Sequence, residues 1–288
     1  MKILTVTIPS YNAEKYLNKG IQTMLEESIL EDIEIIIVDD GSTDKTAQIA
    51  DAYHEKYPDT IKVIHKKNGG HGSTINSGIQ EASGKYFCVI DADDWVDTAN
   101  FVKIISIMKR CKADLILANE VKVDSDDTIQ GYHKKFKKLP NEREVDLDQY
   151  IGKINNIEMH NYFILSDILK RNNIHCHEHL YYVDQEFVLY SLMYVQTVLY
   201  TDIVVYHYFW GRSGQSVSQE SKRKNYSHLT MVSDFLIDFY KQNKCSMTLN
   251  QRKHYEAKIA WFQLAIYSVL LGYNNNEKKI EMKNMIKS

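Results

Sequence analysis

Three carboxylates within four residues are the feature of this sequence with the most direct chemistry. Asp91, Asp93 and Asp94 follow the apolar run 85–90. Like charges this close repel one another, so we expect a cation to offset them. Carboxylate oxygens suit hard divalent ions such as Mg²⁺ and Mn²⁺, and magnesium sites commonly combine one or two carboxylates with the phosphates of a substrate. The alternative is a solvated acidic turn that caps the next helix, and so short a motif does not decide between the two.

Two further polar segments follow apolar runs. Residues 38–44 read Val-Asp-Asp-Gly-Ser-Thr-Asp, which is either a strand, a tight turn and a capped helix, or a carboxylate offered to a base or a ribose hydroxyl. Residues 68–73 read Asn-Gly-Gly-His-Gly-Ser, a glycine-rich helix start that can approach phosphates or a sugar closely. That segment lacks the GxxxxGK[ST] spacing, so no Walker-type nucleotide site is predicted.

The elements that must position these residues alternate in type. Strand patterns and helix patterns follow one another along residues 3–123, and repeated units of this kind predict an α/β fold with a mostly parallel sheet and helices on both faces. The predicted strands are 3–8, 33–38, 61–65, 85–90 and 114–123, and the predicted helices are 13–27, 47–57, 71–82 and 101–109. In open sheets of this class, ligands bind at the carboxyl ends of the strands, which is where the three polar segments lie.

The later part of the chain has a different pattern. We expect helices at 166–172 and 184–194, a strand at 198–209, and a helical region from 220 onward. The predicted domains are therefore 1–218, with halves 1–112 and 113–218, and a C-terminal helical extension, 219–288. Residues 259–271 are apolar on nearly every side, which predicts a buried helix or one at an interface, such as a membrane surface or a second copy of the chain.

The order of the motifs closely resembles that of the family-2 glycosyltransferases, which have the GT-A nucleotide-sugar fold. The matching stretches are 5–12, 38–44, 68–72 with Asn76, and 84–86 leading into 91–95. Motif order, spacing and strand context agree over residues 3–100, and the resemblance continues more weakly to residue 218.

That resemblance implies roles for particular residues. It implies a donor site in which Pro9, Tyr11 and Asp40 line the base and ribose, completed by Gly72, Asn76, Asp91, Asp94 and Arg212. It implies a divalent cation, Mn²⁺ or Mg²⁺, bound by Asp93 and Asp91, with His207 reaching the metal or the diphosphate. It also implies Asp184 as the catalytic base, with Glu186 as the fallback, although Val183 replaces the glutamate that usually precedes the base.

The implied reaction is an inverting transfer of one sugar from a nucleotide-diphosphate sugar, on family grounds a UDP-sugar, to a glycan, lipid-linked or protein-linked acceptor. A sugar-1-phosphate nucleotidyltransferase is less favoured, because the segment after the first strand is Pro9-Ser10-Tyr11-Asn12 and not a basic glycine-rich loop. An inactive carbohydrate-binding or assembly subunit stays open because of Val183. A processive polysaccharide synthase would need a QxxRW motif and membrane-spanning helices, and the sequence contains neither.

Composition excludes some other classes. The 35 Lys and Arg are offset by 38 Asp and Glu, a balance that does not favour nucleic-acid binding. The four cysteines form no CxxC pair, so neither a zinc knuckle nor a disulfide framework is predicted, and a reducing, cytoplasmic location fits, with contact at the inner face of the membrane as an option. Residues 175–179, His-Cys-His-Glu-His, could bind a transition metal, but a solvated loop is favoured because no partner ligand follows at structural-zinc spacing.

Overall fold

The computed structural model describes residues 2–126, 128–132, 136–154, 157–211, 215 and 218–270. The chain divides into two compact units, residues 1–212 and residues 213–288. The predicted domain boundaries at 112 and 218 stay predictions.

The first part of unit 1 follows the predicted alternation of strands and helices. Its elements are β1 (Leu4–Ser10), α1 (Leu17–Met24), β2 (Ile33–Asp39), α2 (Thr46–Lys56), β3 (Ile61–His65), α3 (His71–Glu81) and β4 (Tyr86–Val89), with a 3₁₀ turn at Glu27–Ile29. In these elements β1 pairs in parallel with β2 and β4, and β2 pairs in parallel with β3. Every residue of β2 is buried, as expected for a strand covered by helices on both faces.

Helix α1 begins four residues later than its apolar spacing suggests, at Leu17 rather than Ala13. The reason lies in the preceding loop. The backbone N–H of Ala13 donates to Oγ1 of Thr46 at 2.7 Å, and that of Glu14 donates to the Asp44 carboxylate at 3.1 Å. These N–H groups are bonded across to the loop after β2, so the segment is fixed by that loop before the helix begins.

The second part of unit 1 completes the sheet. Its elements are β5 (Trp95–Val96), α4 (Thr98–Arg110), β6 (Leu115–Val123), β7 (Ile129–Tyr132), β8 (Glu144–Asp146), α5 (Asp148–Ile151), β9 (Tyr162–Leu165), α6 (Ser166–Arg171), α7 (Asp184–Leu192) and β10 (Thr197–Phe209), with a 3₁₀ turn at Met159–Asn161. The strand order is β3-β2-β1-β4-β9-β6-β10-β5, with β7 on β6 and β8 on β10. The α/β fold class is thereby confirmed, but the sheet is mixed and not mostly parallel, because β5, β7, β8 and β9 pair antiparallel with their neighbours.

The sequence did not predict the short strands β5, β7, β8 and β9, and β9 matters most for the site. It is only four residues long, and it pairs antiparallel with both β4 and β6, between which it lies. A short apolar run without flanking turn residues cannot be told from a helix segment by periodicity alone. Its insertion joins the parallel strands of the first half to the pair β6 and β10, which are again parallel to each other.

Unit 2 is helical, as predicted. Its described helices are α8 (Gln219–Lys224), α9 (Tyr226–Asn243) and α10 (Leu249–Leu270). Helix α10 packs against α9, with the rings of Phe239 and Tyr255 stacked 6.3 Å apart. Its apolar stretch is only partly core, because Phe262 is buried whereas Trp261 and Tyr267 are exposed. Among the described residues, no helix combines the length and the apolar character needed to cross a membrane.

Candidate active site

The loops that follow β1 and β2 are tied to each other by the polar residues of their motifs. The Asn12 side-chain oxygen accepts the N–H of Thr43 at 2.9 Å, and Oγ of Ser42 accepts the N–H of Asn12 at 3.0 Å. Asn12 itself has a φ of 51°, a left-handed conformation that asparagine tolerates better than most residues. Beside this pair of loops, Pro9 is half-buried on β1 and the Tyr11 ring is 56% exposed.

Asp40 organises the glycine-rich segment. Its buried carboxylate accepts the backbone N–H of Gly69 at 2.9 Å and that of Gly70 at 2.8 Å. Nζ of Lys66 lies 3.1 Å from Oδ1 of Asp40 and balances its charge. Gly70 has a φ of 80°, so the backbone turn that aims these N–H groups at the carboxylate is open to glycine at little cost. The second motif and the third are therefore one hydrogen-bonded unit.

Gly72 and Asn76, predicted to bind the donor, lie against the segment before α7. A Cβ on Gly72 would stand 2.1 Å from the carbonyl oxygen of His177, so only glycine fits there. The Asn76 side chain accepts the N–H of Cys176 at 2.8 Å and donates to its carbonyl at 2.9 Å. Cys176 is fully buried, so the His-rich segment is docked on α3 at this residue, although His175 and His179 are exposed.

Glu186 closes the same contact from α7. Its fully buried carboxylate accepts the N–H of His177 at 2.9 Å and lies 3.0 Å from that ring's Nδ1. Burial raises the pKa of Glu186, and the partnership with His177 opposes this only in part. The fallback base is thus enclosed and bonded to its own chain.

Asp184 differs in exposure from Glu186. It is half-buried in the first turn of α7, and its carboxylate accepts a hydrogen bond from the Gln185 side chain at 2.8 Å. The preceding residue, Val183, is fully buried, which explains why an apolar side chain stands where the resemblance implies a glutamate.

Asp91 lies between two imidazoles at the end of β4. Nε2 of His71, from the start of α3, is 3.3 Å from its Oδ1, and Nε2 of His160 is 3.5 Å from its Oδ2. Burial alone would raise the pKa of Asp91, but the two imidazoles hold it well below its ordinary value. Burial likewise opposes protonation of His71, whereas the negative charges of Asp91 and Asp184 raise the pKa of that ring. His71 is followed by Gly72, which packs against His177, and His177 is bonded to Glu186 in the first turn of α7, so α3 connects the acidic motif with the turn that carries Asp184.

His160 is the site residue that the sequence did not identify. The 3₁₀ turn before β9 supplies it, and its ring lies 4.9 Å from that of Tyr206 and 5.0 Å from that of Tyr208. Burial would lower the pKa of His160, but Asp91 together with Glu120 raises it to about 10. A single histidine in a segment without a motif carries no local signal, and only the placement of β9 beside β4 brings it to Asp91.

Asp94 is the most enclosed of the three acidic residues. Its carboxylate is buried, and it accepts the Tyr206 hydroxyl at 2.5 Å and the N–H of Phe209 at 2.7 Å. Burial and the nearby charges of Asp93 and Asp91 raise its pKa well above the ordinary value. Asp94 therefore fastens β10 to the acidic motif, and Asp93 beside it is half-buried.

The two remaining predicted site residues are His207 of β10 and Arg212. His207 packs edge-on against Trp95, with 5.8 Å between ring centroids. It lies on the opposite face of β10 from Tyr206 and Tyr208, since successive strand residues point to opposite faces. Arg212, predicted to pair with the diphosphate, lies outside the described residues.

The acidic end of β4 has a donor set that fits a divalent cation. Asp91, Asp94 and His160 each offer a ligand atom, and these atoms lie within 4.8 Å of one another. Carboxylate oxygens are the ligands that Mg²⁺ and Mn²⁺ prefer, and Mn²⁺ lies between the oxygen-preferring ions and those that imidazole suits. Of the two predicted ligands, Asp91 belongs to this group of three and Asp93 is not one of its members.

Comparison with known proteins agrees with this geometry. The sequence model described as "Glycosyl transferase family 2" matches residues 5–187. GgaB of Bacillus subtilis, named a minor teichoic acid biosynthesis protein, is 29% identical over 253 residues, which cover 85% of this chain and 27% of GgaB. The chain spans from 27% to 42% of the length of the first curated relatives that it matches.

Solved structures share the fold. Residues 1–349 of Staphylococcus aureus TarS in complex with UDP align with a TM-score of 0.67 and 20% identity, covering 96% of this chain and 74% of that one. The mannosyltransferase PcManGT of Pyrobaculum calidifontis, in complex with GDP-mannose and Mn²⁺, aligns with a TM-score of 0.57 and 14% identity, covering 93% and 74% of the two chains.

Proposed function

Because the chain belongs to glycosyl transferase family 2, we propose that it moves one sugar from a UDP-sugar to an acceptor hydroxyl with inversion at the anomeric carbon. The observation that carries the proposal is that the start of α3 contacts both acidic sites: His71 lies 3.3 Å from Asp91, and the adjacent Gly72 packs against His177. His177 is bonded to Glu186 in the same first turn of α7 as Asp184, so one acid is available to the donor diphosphate and the other to the acceptor.

The donor nucleotide would bind at the ends of β1 and β2. In this proposal the exposed Tyr11 ring and Pro9 contact the base, and Asp40 acts on the base or ribose while fixing the glycine-rich turn. The UDP complex of the structurally similar TarS supports UDP as the nucleotide. Gly72 and Asn76 would contribute indirectly, by holding the segment that leads to Asp184.

Asp91 would hold the divalent cation, Mn²⁺ or Mg²⁺, beside Asp94 and His160 of the same group, and Asp93 keeps its predicted role as a further carboxylate ligand. Bound there, the ion would offset the negative charge that develops on the departing diphosphate. The Mn²⁺ in the PcManGT complex supports a cation in this fold. Arg212 keeps its proposed role at the diphosphate, whereas the packing of His207 on Trp95 does not support a role for that ring at the metal.

Asp184 would take the proton from the acceptor hydroxyl as that oxygen attacks the anomeric carbon. The carbon–oxygen bond to the diphosphate breaks as the new glycosidic bond forms, so an α-linked donor gives a β-linked product. A half-buried carboxylate in the first turn of a helix is held in place while remaining accessible, as general base catalysis requires.

The acceptor would be a glycan, a lipid-linked sugar or a glycoprotein, and the name of GgaB supports a polymer of the cell envelope. We place the protein in the cytoplasm, with unit 2 contacting the inner face of the membrane or another copy of the chain. The exposed Trp261 and Tyr267 of α10 support such a contact. The division into domains 1–218 and 219–288 belongs to the same proposal.

A donor screen tests the proposal. Purified protein is incubated with UDP-, GDP- and TDP-sugars, with Mn²⁺ or with a chelator, and the release of free nucleoside diphosphate is measured. We expect release from a UDP-sugar with Mn²⁺ and little release with the chelator. Release of pyrophosphate from sugar-1-phosphate and nucleoside triphosphate would instead indicate a nucleotidyltransferase, and no release from any donor would indicate an inactive subunit.

A further inference from the structure

Three aromatic side chains form a line along one face of β10 and the residue that follows it. Tyr206, Tyr208 and Trp210 alternate with residues of the other face, and the rings of Tyr208 and Trp210 lie 5.9 Å apart. The line begins in the site and ends at the surface. Tyr206 is buried on Asp94, whereas Trp210 is 40% exposed. A large exposed ring at this position is not required by the core.

A cavity of about 660 Å³ opens beside Trp210, between the end of β10 and the hairpin of β6 and β7. This volume lies within the range of small-molecule sites, roughly 300–1,000 Å³. Its lining combines aromatic surface with hydrogen-bonding side chains: Phe209, Trp210, Lys122, Asp124, Ser125 and Gln130.

The polar part of the lining is held in place. The Asp124 carboxylate accepts the backbone N–H groups of Asp126 and Thr128, at 2.9 and 3.0 Å, and so fixes the hairpin turn. Nζ of Lys122 lies 3.9 Å from the centre of the Trp210 ring, which restrains both side chains. The cavity therefore presents a pre-arranged ring with donors and acceptors around it, which lowers the entropic cost of binding.

These properties match a pyranose. One face of a sugar ring carries C–H groups, which are apolar and slightly positive, and the face of an indole is the negative part of its quadrupole. The hydroxyls around the ring edge need hydrogen-bonding partners, which Lys122, Ser125 and Gln130 can supply. We propose that this cavity is the acceptor subsite, where a saccharide acceptor packs one ring on Trp210.

The position in the sheet favours the acceptor over the donor. Strands β1, β4, β9 and β6 separate β2, which carries Asp40, from β10. Five strand spacings amount to roughly 24 Å in a flat sheet and to less in a twisted one. The acidic end of β4 lies between β2 and β10. The cavity is therefore on the far side of Asp91 from the proposed nucleotide-binding site near Asp40. In an inverting transfer, the acceptor approaches the anomeric carbon from the side opposite the leaving diphosphate. The assignment of the cavity to the acceptor therefore rests on the proposed function.

A glycan array tests the subsite against many candidate acceptors at once. Labelled protein is applied to an array of mono- to tetrasaccharides as wild type, Trp210→Ala, Trp210→Phe and the control Met231→Ala, which removes an exposed apolar side chain of α9. We expect wild type and the control to bind the same glycans. Trp210→Ala should lose about tenfold or more of that binding, as truncation of a tryptophan anchor does, and Trp210→Phe should retain part of it.

Calorimetry of UDP with Mn²⁺ on the same four proteins separates this inference from the proposed function. Unchanged UDP affinity and melting temperature in Trp210→Ala, together with lost glycan binding, support the subsite. Three results would overturn it: equal glycan binding by Trp210→Ala and wild type, no glycan bound by wild type, or an equal loss of UDP affinity, which would assign the cavity to the donor. Failure of wild type to bind UDP would count against the proposed function. The array would still show whether glycan binding depends on Trp210.

Discussion

The carboxyl ends of β2 and β4 both carry closely spaced acids, yet the chain treats them differently. At β2, the Asp40 carboxylate is bonded to two backbone N–H groups at 2.8–2.9 Å and to Lys66 at 3.1 Å. At β4, Asp91 has two imidazoles at 3.3 and 3.5 Å. The first arrangement has the distances of strong hydrogen bonds to the backbone, whereas the second consists of longer contacts between ionisable side chains.

The difference separates an acid that holds the fold from acids that are available for chemistry. Backbone donors cannot leave without unfolding the glycine-rich turn, so Asp40 acts first on stability. Side-chain imidazoles can rotate or exchange protons when a ligand arrives, so the β4 end can change partners without loss of structure. Substitutions at the two ends should therefore have different signatures, one in the free energy of unfolding and the other in turnover or metal response.

The largest effect is expected at Asp184, on the chemical side of this comparison. Asp184→Asn should leave melting temperature and UDP affinity unchanged, because Val183 and not Asp184 is the N-cap of α7, and the asparagine oxygen can still accept the hydrogen bond from Gln185. Turnover should fall by roughly 10²–10⁴, the usual contribution of general base catalysis. Steady-state transfer assays with thermal melting provide the measurement.

Two variants serve as controls for that prediction. Asp167→Asn changes an exposed acid in α6 and should leave turnover as it is. Glu186→Gln removes the buried charge beside His177, so it should change the melting temperature more than the chemistry. Near-normal transfer by Asp184→Asn would move the base to Glu186.

The second-largest effect, a loss of stability, is expected at the β2 end. Asp40→Asn leaves one oxygen to serve the N–H groups of Gly69 and Gly70, and it takes the charge partner from Lys66. We expect the free energy of unfolding to fall by about 2–4 kcal/mol, as when one partner of a buried, charged network is removed. Urea denaturation measures this.

The matched control is Asp59→Asn, an exposed acid in the turn before β3, which should change stability by less than about 0.5 kcal/mol. Equal stability of Asp40→Asn and wild type would mean that Asp40 does not hold the glycine-rich turn, and the proposed contrast between the two strand ends would then fail.

The sequence predicted one side of this contrast far better than the other. The polar segments at the strand ends of the first half could be predicted because each motif lies within a short stretch of sequence. A buried strand, a glycine turn and a helix start follow one another within about ten residues, as P-loop-like and Rossmann-like segments do. Even there, the partner of Asp40 was not evident, since its carboxylate could equally have faced a ribose.

The second half depends on contacts between distant parts of the chain. His160 contacts Asp91 only because β9 inserts antiparallel between β4 and β6. The four apolar residues of β9 do not by themselves predict that pairing. The same reason explains Gly72 and Asn76. Their motif was recognised, but their contacts with Cys176 and His177 required the tertiary fold.

A smaller effect is expected from the metal at the β4 end. Asp93→Ala should abolish the dependence of UDP binding on Mn²⁺ and lower UDP affinity in its presence by at least about tenfold, the value of one lost charge-assisted contact. Unlike Asp40→Asn, it should leave the urea midpoint unchanged, because Asp93 is half-buried. Calorimetry measures the UDP affinity with and without Mn²⁺. Equal UDP affinities of wild type in both conditions would contradict the proposal that a cation binds at this site.

The smallest effect concerns pH at the β2 end. His65 lies 3.0 Å from Asp39 and 2.9 Å from Asp51, and its side chain is 46% exposed. The hydrogen bonds that the His65 ring donates to the carboxylates of Asp39 and Asp51 raise the pKa of His65 in the folded state. Burial alone would raise the pKa of Asp39, but its bonds with Ser42 and His65 lower it below the ordinary value.

The two shifts define a window in which the pair stabilises the fold. The contribution of Asp39 is present above its unfolded pKa of about 3.9 and is lost as pH falls through the lower folded value. The contribution of His65 is present below its unfolded pKa of about 6.5 and is lost as pH rises through the raised folded value. His65→Gln should therefore cost most stability between about pH 4 and 6.5, by less than about 1 kcal/mol because the ring is half in solvent, and the cost should shrink toward pH 9. Urea denaturation of both proteins at pH 5, 7 and 9 measures the difference. If the loss of stability in His65→Gln grew with pH, His65 would act as a neutral hydrogen-bonding group. The acids at the β2 end would then pair with a neutral imidazole, unlike Asp91, whose pKa the two imidazoles lower.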